Sequence, residues 1–244
     1  MKRYTETINE RLTGRHKFSM VLSGDVSNKR ILNVGCWIGW YEKFAIDNRC
    51  RSIVGIDTDC GAVTKAMESM KGADFALSSA LSLPFRDGCF DVVTMLDVLE
   101  HIPKNTEASC LTDLCRVLDN KGTLILSTPN KHLLAEILDL AWYFGHRHYS
   151  LAEVKSVLTE NGFEVESSNY GGGLYELVSM ILLYGFKKLF RMEIPKKRFF
   201  DVKRDEEYLG ERGFVTLFVR AIKRDRFPSH SCETKPAVGM SYTF

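Results

Sequence analysis

Two glycines, Gly35 and Gly39, stand four residues apart directly after a short apolar run, and Asp57 follows 22 positions after the first of them. Glycine at such a turn allows positive φ and removes the Cβ that would keep a ligand away from the backbone. A carboxylate roughly 20 residues after the first glycine is well placed to accept hydrogen bonds from ribose hydroxyls. The pattern therefore predicts a site for a nucleoside-bearing cofactor.

Two kinds of cofactor carry such a nucleoside. A dinucleotide needs the pattern G-x-G-x-x-G, because its pyrophosphate docks against bare backbone at a helix N-terminus. This chain has G-x-x-x-G, with Trp37 where the middle glycine would stand, so a pyrophosphate would meet a bulky side chain. S-adenosylmethionine (SAM) needs no phosphate cradle, since its amino-acid end is zwitterionic and its sulfonium carries the positive charge. The spacing favours SAM and leaves an NAD-dependent oxidoreductase as the weaker alternative.

Alternating strand and helix patterns must position these residues. Apolar runs predict strands at 31–34, 51–57, 73–77, 89–96, 123–128, 163–168 and 214–222. Helical spacing predicts helices around 18–22 and at 41–47, 62–70, 106–118, 131–145 and 150–161, with a turn at 119–122. In the last of these helices Ser150 and Glu153 form a capping box, and Asn161-Gly162 is a stop signal.

This order of elements predicts an α/β fold. We expect a doubly wound, mostly parallel seven-stranded sheet, with an antiparallel strand at the end and a helical insertion before it. In such a fold ligands bind at the carboxyl ends of the strands, where the strand order reverses. The glycine turn, Asp57 and the corner Leu96–Glu100 would all lie on that rim.

The same stretches resemble the motifs of class I SAM-dependent methyltransferases, in the ubiquinone-type group (types 11 and 23). Ile31–Gly39 resembles motif I, and Ile53–Asp57 resembles the strand after it. Ser79–Phe85 is similar to the adenine-side loop, and Phe90–Pro103 to the motif IV corner. Leu118–Asn130 resembles the turn and strand that follow, so the motifs stand in the family's order.

The resemblance implies the Rossmann-like fold of that family, SAM as the cofactor, and a role for each matching position. The resemblance implies that ten positions contact SAM. They are Gly35, Cys36, Trp37, Gly39, Asp57, Thr58, Ser79, Ala80, Leu81 and Leu96. Three positions depart from the family pattern: Asn33 and Ser79 replace acidic residues, and Trp37 replaces a glycine. These departures motivate an alternative reading, a non-catalytic scaffold protein of the same fold.

The resemblance also implies methyl transfer to a small-molecule or lipid-linked acceptor, and favours oxygen as the methylated atom. Methyl transfer from a sulfonium requires mainly proximity and orientation, so a dedicated base is optional. His101 is the candidate general base, because an unperturbed histidine pKa of about 6.5 suits that role; alternatively it caps the following helix. His146, Arg147 and His148 lie on the expected acceptor side or in a solvated loop.

Composition limits the partners and the compartment. The net charge of +2 provides no global field for nucleic acid. Seven cysteines without a C-x-x-C pair, and a polar N-terminus, indicate a reducing cytoplasm. Because no His/Cys cluster has zinc spacing, we expect no metal site.

One segment outside the resemblance stands out. Leu174–Phe186 is apolar nearly all round, and residues 187–204 carry eight basic and two acidic side chains, a local charge of +6. An apolar helix with a basic flank is typical of a membrane interface; the alternative is a core or dimer helix. We expect a single domain over 1–225, in which 170–212 forms a cap over the acceptor site; contact of this cap with the inner face of a membrane and a core or dimer role for its helix both stay open. Residues 226–244 are expected to be a disordered tail.

Overall fold

The computed structural model describes residues 12–139, 146–184, 197–210 and 213–225. The tail predicted for 226–244 lies outside these residues, as do the end of the helix predicted over 131–145 and most of the basic run. Among the described residues, no helix is both long enough and apolar enough to cross a membrane.

Strands and helices alternate along the chain. The strands are β1 (Arg30–Val34), β2 (Ser52–Asp57), β3 (Asp74–Leu77), β4 (Phe90–Leu96), β5 (Leu118–Pro129), β6 (Phe163–Gly171) and β7 (Thr216–Lys223). The helices are α1 (Gly14–Ser23), α2 (Trp40–Asp47), α3 (Cys60–Ser69), α4 (Glu107–Val117), α5 (Leu133–Leu138), α6 (Leu151–Glu160), α7 (Leu174–Tyr184) and α8 (Lys197–Leu209). A short 3₁₀ turn, Leu99–His101, follows β4.

The seven strands form one sheet in the order β3-β2-β1-β4-β5-β7-β6. The first five pair in parallel, whereas β7 runs antiparallel to both β5 and β6. The predicted fold class, including the antiparallel final strand and the helical insertion before it, is therefore confirmed. The strand order reverses between β1 and β4, which is where a sheet of this kind leaves a crevice for a ligand.

The helices cover both faces of the sheet. On one face, a large apolar cluster joins the strands to α4 and α6 through side chains such as Leu111, Leu114 and Leu158. On the other, α1 and α2 close a smaller cluster around Ile31 and Tyr41. Burial on both faces explains why β1 and β4 are nearly continuous apolar runs.

Local signals account for the helix that carries the capping box. Ser150 Oγ accepts a hydrogen bond from the Glu153 N–H, and the Glu153 carboxylate accepts one from the Ser150 N–H at 2.7 Å. The helix ends at Glu160, directly before Asn161, and Gly162 takes a positive φ of 90°. The predicted boundaries of α6 are confirmed to within one residue.

The turn predicted at 119–122 is wrong. These residues lie inside β5, where Phe90 pairs with Leu118 but Val92 pairs with Thr123, so β5 bulges by three residues relative to β4. The bulge is anchored by Asp119, which accepts a hydrogen bond of 2.7 Å from Arg30 at the start of β1. Residues 119–122, whose sequence is typical of a turn, thus form an irregular part of a strand that a distant residue, Arg30, holds in place.

Helices α1, α7 and α8 form a layer near the end of β4, which we call the cap. The Glu207 carboxylate of α8 accepts hydrogen bonds from the N–H groups of Gly173, Tyr175 and Glu176 and so caps the start of α7. Helix α8 also lies so close to α1 that a Cβ on Gly14 would come within 2.8 Å of Asp205 Cα. These contacts join the insertion to the N-terminal helix.

Candidate cofactor and acceptor site

The glycine turn is held against the end of β2. The N–H groups of Gly35 and Cys36 both donate to the Ile56 carbonyl, at 2.8 and 2.9 Å. Gly35 and Gly39 have φ values of 81° and 87°, which favour glycine. A Cβ on Gly35 would also lie 2.3 Å from Val98 Cγ2, so a larger residue there would disturb the β4 corner as well as any ligand.

Asp57 ends β2 beside this turn. One carboxylate oxygen accepts the Trp37 N–H at 2.9 Å, and the other accepts the Asp59 N–H at 3.0 Å. An ionised carboxylate has about four lone-pair sites, and that of Asp57 is only half-buried. The Asp57 carboxylate can therefore still accept hydrogen bonds from ribose hydroxyls. Together with the glycine turn, it fits a nucleoside. Thr58 follows it and is exposed.

Trp37 is held in the left-handed region, with φ at 45°, and its side chain is 52% exposed. A non-glycine residue in this region costs on the order of 1 kcal/mol or more, and such strain concentrates at functional sites. The turn keeps the backbone shape that glycine would allow and adds an exposed indole beside Asp57.

Asn33 belongs to a buried polar group beneath the turn. Its amide donates to Glu42 Oε1 at 2.9 Å and accepts from the Thr94 hydroxyl at 2.7 Å. Burial raises the pKa of Glu42 to about 8, so this carboxyl is mostly protonated at neutral pH. Glu42 Oε2 has no hydrogen-bond partner among the residues that the structure describes. Glu42 was not singled out from the sequence, although it lies in the first turn of α2, next to motif I.

The other predicted cofactor residues differ in exposure. Cys36 and Ala80 are buried, Leu81 is half-buried, and Ser79 is exposed, with its hydroxyl accepting the Leu81 N–H. Burial raises the pKa of the Cys36 thiol, which keeps it protonated. Leu96 packs against the cluster under α1 and α2.

Asp97, directly after β4, is the centre of the second half of the site. It takes a φ of 55°, donates its N–H to the Ser127 carbonyl, and accepts the Ser127 hydroxyl at 2.9 Å. Its other carboxylate oxygen lies 2.8 Å from Arg15 Nη1. Burial alone would raise the pKa of Asp97, but the Arg15 guanidinium holds it below its usual range.

Arg15 connects the cap to this corner. Beyond Asp97, it donates to the Tyr208 hydroxyl at 3.1 Å and to Glu176 Oε1 at 3.4 Å. Arg204 of α8 lies 3.3 Å from the same Glu176 carboxylate. All three cap helices therefore converge on the carboxyl end of β4. No sequence signal indicated Arg15, because its partner Asp97 lies 82 positions away.

The predicted histidines gather at the same corner. His101 lies in the 3₁₀ turn after β4, and its ring centroid is 4.9 Å from that of His146. Arg147 holds the two segments together by donating to the Leu99 and Glu100 carbonyls at 3.0 and 3.3 Å. Burial and His146 lower the pKa of His101, so its imidazole is neutral at physiological pH and can accept a proton.

The structure thus places the predicted nucleoside site, around the glycine turn and Asp57, next to a candidate acceptor site, around Asp97, His101 and the cap. The two halves meet where β1 and β4 are neighbours. A group transferred between two ligands bound there would pass across the switch point of the sheet.

Comparison with known proteins identifies similar chains. Residues 32–126 match a family described as a methyltransferase domain. A protein of Mycolicibacterium smegmatis, named “Probable S-adenosylmethionine-dependent methyltransferase”, is 30% identical over 155 residues, covering 62% of this chain and 59% of that protein. The ubiquinone biosynthesis O-methyltransferase of Pseudomonas aeruginosa is 31% identical over 112 residues, covering 44% of this chain and 47% of that enzyme.

Solved structures share the fold. An S-adenosylmethionine dependent methyltransferase from Mesorhizobium loti superposes with a TM-score of 0.60 at 14% identity, covering 86% of this chain and 98% of that one. The chain spans about half the length of the curated relatives it matches.

Proposed function

We propose that the chain is a class I SAM-dependent methyltransferase, as the match of residues 32–126 to a methyltransferase domain and the 30% identity to the relative from Mycolicibacterium smegmatis support, and that it transfers a methyl group from SAM to a hydroxylated acceptor beneath the cap. When bound, SAM supplies a methyl group on a sulfonium, which an acceptor atom can take by in-line displacement. Asp57 would hold the ribose hydroxyls, the backbone of Gly35–Gly39 would border the methionine part, and Ser79, Ala80 and Leu81 would edge the adenine. The observation that carries this proposal is the half-buried Asp57 carboxylate set 2.9 Å from the backbone of the glycine turn.

The acceptor would lie beside Asp97, under α1, α7 and α8. His101 supports methylation on oxygen, because a neutral imidazole can take the proton of a hydroxyl as that oxygen attacks. Two relatives are named as O-methyltransferases, acting in ubiquinone biosynthesis and on tocopherol. The apolar side chains that α7 and α8 expose, such as Val178 and Phe199, support an apolar or lipid-linked acceptor.

Calorimetry tests the cofactor. We expect SAM and S-adenosylhomocysteine to bind and NAD not to bind, with SAM affinity falling at least tenfold in Asp57→Ala. Asp74→Ala is the matched control, since this exposed aspartate begins β3 at the edge of the sheet. Binding of NAD but not SAM would refute the proposal, and binding of neither would favour a scaffold protein. Asp57 is a better test position than Gly35, whose replacement would also displace Val98.

A methylation assay tests the acceptor class. With labelled SAM and a panel of phenols, quinols, amines and sugar alcohols, we expect transfer to apolar hydroxylated compounds. His101→Ala should lower kcat with a smaller effect on KM, most strongly near neutral pH, where the acceptor hydroxyl keeps its proton and the neutral imidazole can take it. Transfer to amines alone would exclude oxygen as the preferred atom.

We further propose that the cap rests on the inner face of a membrane, so that a cytoplasmic protein reaches a lipid-linked acceptor. Helices α7 and α8 of the cap, and α5 beside α7, each expose large apolar side chains. These are Leu133, Leu134 and Ile137 on α5, Leu174, Val178 and Ile181 on α7, and Phe199, Val202 and Leu209 on α8. The basic run at 187–204 would add attraction to anionic lipid.

Co-sedimentation with anionic liposomes tests this contact. Binding should weaken as salt is added and should fall in the double variant Val178→Asp with Ile181→Asp. The control is Met67→Asp, an equally exposed apolar position on α3 near the opposite edge of the sheet. If the double variant folds and sediments as well as the control, the membrane proposal is wrong.

A further inference from the structure

Three imidazoles and two carboxylates meet beside the β4 corner, although no spacing in the sequence predicted a metal site. Among the described residues, Glu100, His101 and His146 each offer a ligand atom, and these atoms lie within 4.8 Å of one another. Asp139 and His148 extend the cluster through contacts with His146 and with each other. The two carboxylates are buried, with 1% and 7% of their side chains exposed.

Hydrogen bonds to Asp139 select which imidazole nitrogens remain free. Asp139 Oδ2 lies 3.3 Å from His146 Nδ1 and 2.9 Å from His148 Nε2. A carboxylate accepts hydrogen bonds, so both of these nitrogens carry protons. The lone pair of a neutral His146 is therefore on Nε2, as in the carboxylate–histidine arrangement that orients metal ligands in proteins.

That free nitrogen faces a second acceptor. His146 Nε2 is 3.7 Å from Glu100 Oε1, too far for a hydrogen bond and close to the separation of about 3.4 Å between two ligands on a tetrahedral ion with metal–ligand distances near 2.1 Å. His101 reaches the same space from the 3₁₀ turn. A cation between them would satisfy all three groups at once.

The segment carrying His146 is positioned firmly enough for such a site. Arg147 donates to the carbonyls of Leu99, Glu100 and Ile102, and pairs with Glu107. These bonds tie the His146 backbone to the turn that carries Glu100 and His101. Coordination by side chains from two segments needs this kind of support.

We propose that Glu100, His101 and His146 bind a divalent transition-metal cation, with Asp139 as the positioning residue for His146. Two imidazoles and one carboxylate suit Zn²⁺ and its first-row neighbours. Three protein ligands leave a fourth position open, the pattern of catalytic rather than structural sites. Because the turn follows directly after Asp97, that open position borders the acceptor space.

The cation also suggests a role, which rests on the proposed function. A hydroxyl oxygen of the acceptor would occupy the open position, and coordination would lower its pKa. When His101 is a metal ligand it no longer serves as the base, so the proton would leave to solvent, and the oxygen would be held for attack. The acceptor class is then narrowed to hydroxylated compounds whose oxygen can ligate a metal.

The test is titration of the chelator-treated full chain with Zn²⁺ alone by calorimetry, and with Co²⁺ alone by visible absorption. We expect about one equivalent per chain and Co²⁺ bands typical of a low-coordinate site. His146→Gln and Glu100→Gln should abolish binding, and Asp139→Asn should weaken it roughly 10- to 100-fold. His132→Gln is the control, since this histidine lies outside the cluster and packs on Phe214.

SAM titration of the same stripped protein separates the two proposals. If the protein binds SAM but not Zn²⁺, the metal site is overturned and the methyltransferase proposal stands. If it binds Zn²⁺ but not SAM, the methyltransferase proposal is overturned and the metal site stands. If His146→Gln does not fold, His101→Ala replaces it, because His101 is exposed. Zn²⁺ affinity unchanged in a folded His101→Ala would also overturn the site.

Discussion

At the scale of single residues, Trp37 combines a strained backbone conformation with an exposed side chain. The backbone there has a conformation that glycine adopts freely, yet the chain keeps an indole that is half exposed at the rim of the cofactor site. Strain retained at such a place indicates that the side chain contributes to binding.

Trp37→Gly should therefore have opposite effects on stability and affinity. The free energy of unfolding should rise by about 1 kcal/mol as the left-handed strain is relieved, while SAM affinity should fall as the indole contact is lost. Urea denaturation and calorimetry measure the two quantities. Trp37→Ala is the matched control, because it removes the indole but keeps the strain; equal stability of the two variants would show that strain is absent.

Glu42 makes stability depend on pH. The folded chain keeps this buried carboxyl protonated up to a pKa of about 8, whereas in the unfolded chain it ionises near its ordinary pKa of 4.5. The folded state thus binds more protons than the unfolded state between these values. The Glu42 contribution to stability is favourable only at low pH and declines as pH rises through this window.

Glu42→Gln should remove that decline. Stability of the variant should match the parent near pH 5 and exceed it increasingly towards pH 9, by up to a few kcal/mol. Urea denaturation at several pH values measures this, and Glu68→Gln on the exposed face of α3 is the control. Parallel pH profiles for the Glu42 variant and the parent would contradict a buried, protonated Glu42.

At the scale of elements, the cap depends on one guanidinium. Arg15 of α1 bridges Asp97 after β4 and Glu176 of α7. If Arg15 were removed, Glu176 would keep its contact with Arg204, but Asp97 would lose the guanidinium that neutralises it, and weakening the pairing of a partly buried charge is costly.

Arg15→Met should therefore destabilise the fold by about 2–3 kcal/mol. Lys17→Met provides the comparison on the same helix, because the Lys17–Asp205 pair is more exposed and should contribute less than about 1 kcal/mol. Thermal or urea unfolding measures both, and hydrogen exchange of α7 should accelerate only in the Arg15 variant. Equal losses in the two variants would mean that Arg15 does not connect the cap to β4.

At the scale of the whole molecule, a strand from near the end of the sequence lies inside the sheet, next to its edge strand. β7 lies between β5 and β6 and pairs with both, and most of its side chains are buried. The antiparallel half of the sheet cannot form until this last strand has been made.

Truncation tests this dependence. A chain that ends at Gly213 should lack a cooperative unfolding transition, because β5 and β6 lose the strand that joins them. A chain that ends at Asp225 keeps every described strand and should unfold cooperatively. Circular dichroism during thermal unfolding distinguishes them, and a cooperative transition in the shorter chain would show that β7 is dispensable.

The sequence alone predicted the features that depend on neighbouring residues. Apolar runs located all seven strands, and the Ser150–Glu153 capping box located α6. Glycine spacing with Asp57 identified residues that the structure brings together at the ends of β1 and β2. Backbone sterics, helix capping and burial on both faces of a sheet act over a few residues or along one element, so their signals remain readable in order.

Only the tertiary structure decided which distant residues meet. It brought Arg15 to Asp97, buried Glu42 beneath Asn33, drew the predicted turn at 119–122 into β5, and gathered His101 with His146. Such contacts join residues from 9 to 89 positions apart, and no local propensity specifies them. They form because packing the sheet and cap fixes where each polar group can find a partner, and burial makes an unpaired one expensive.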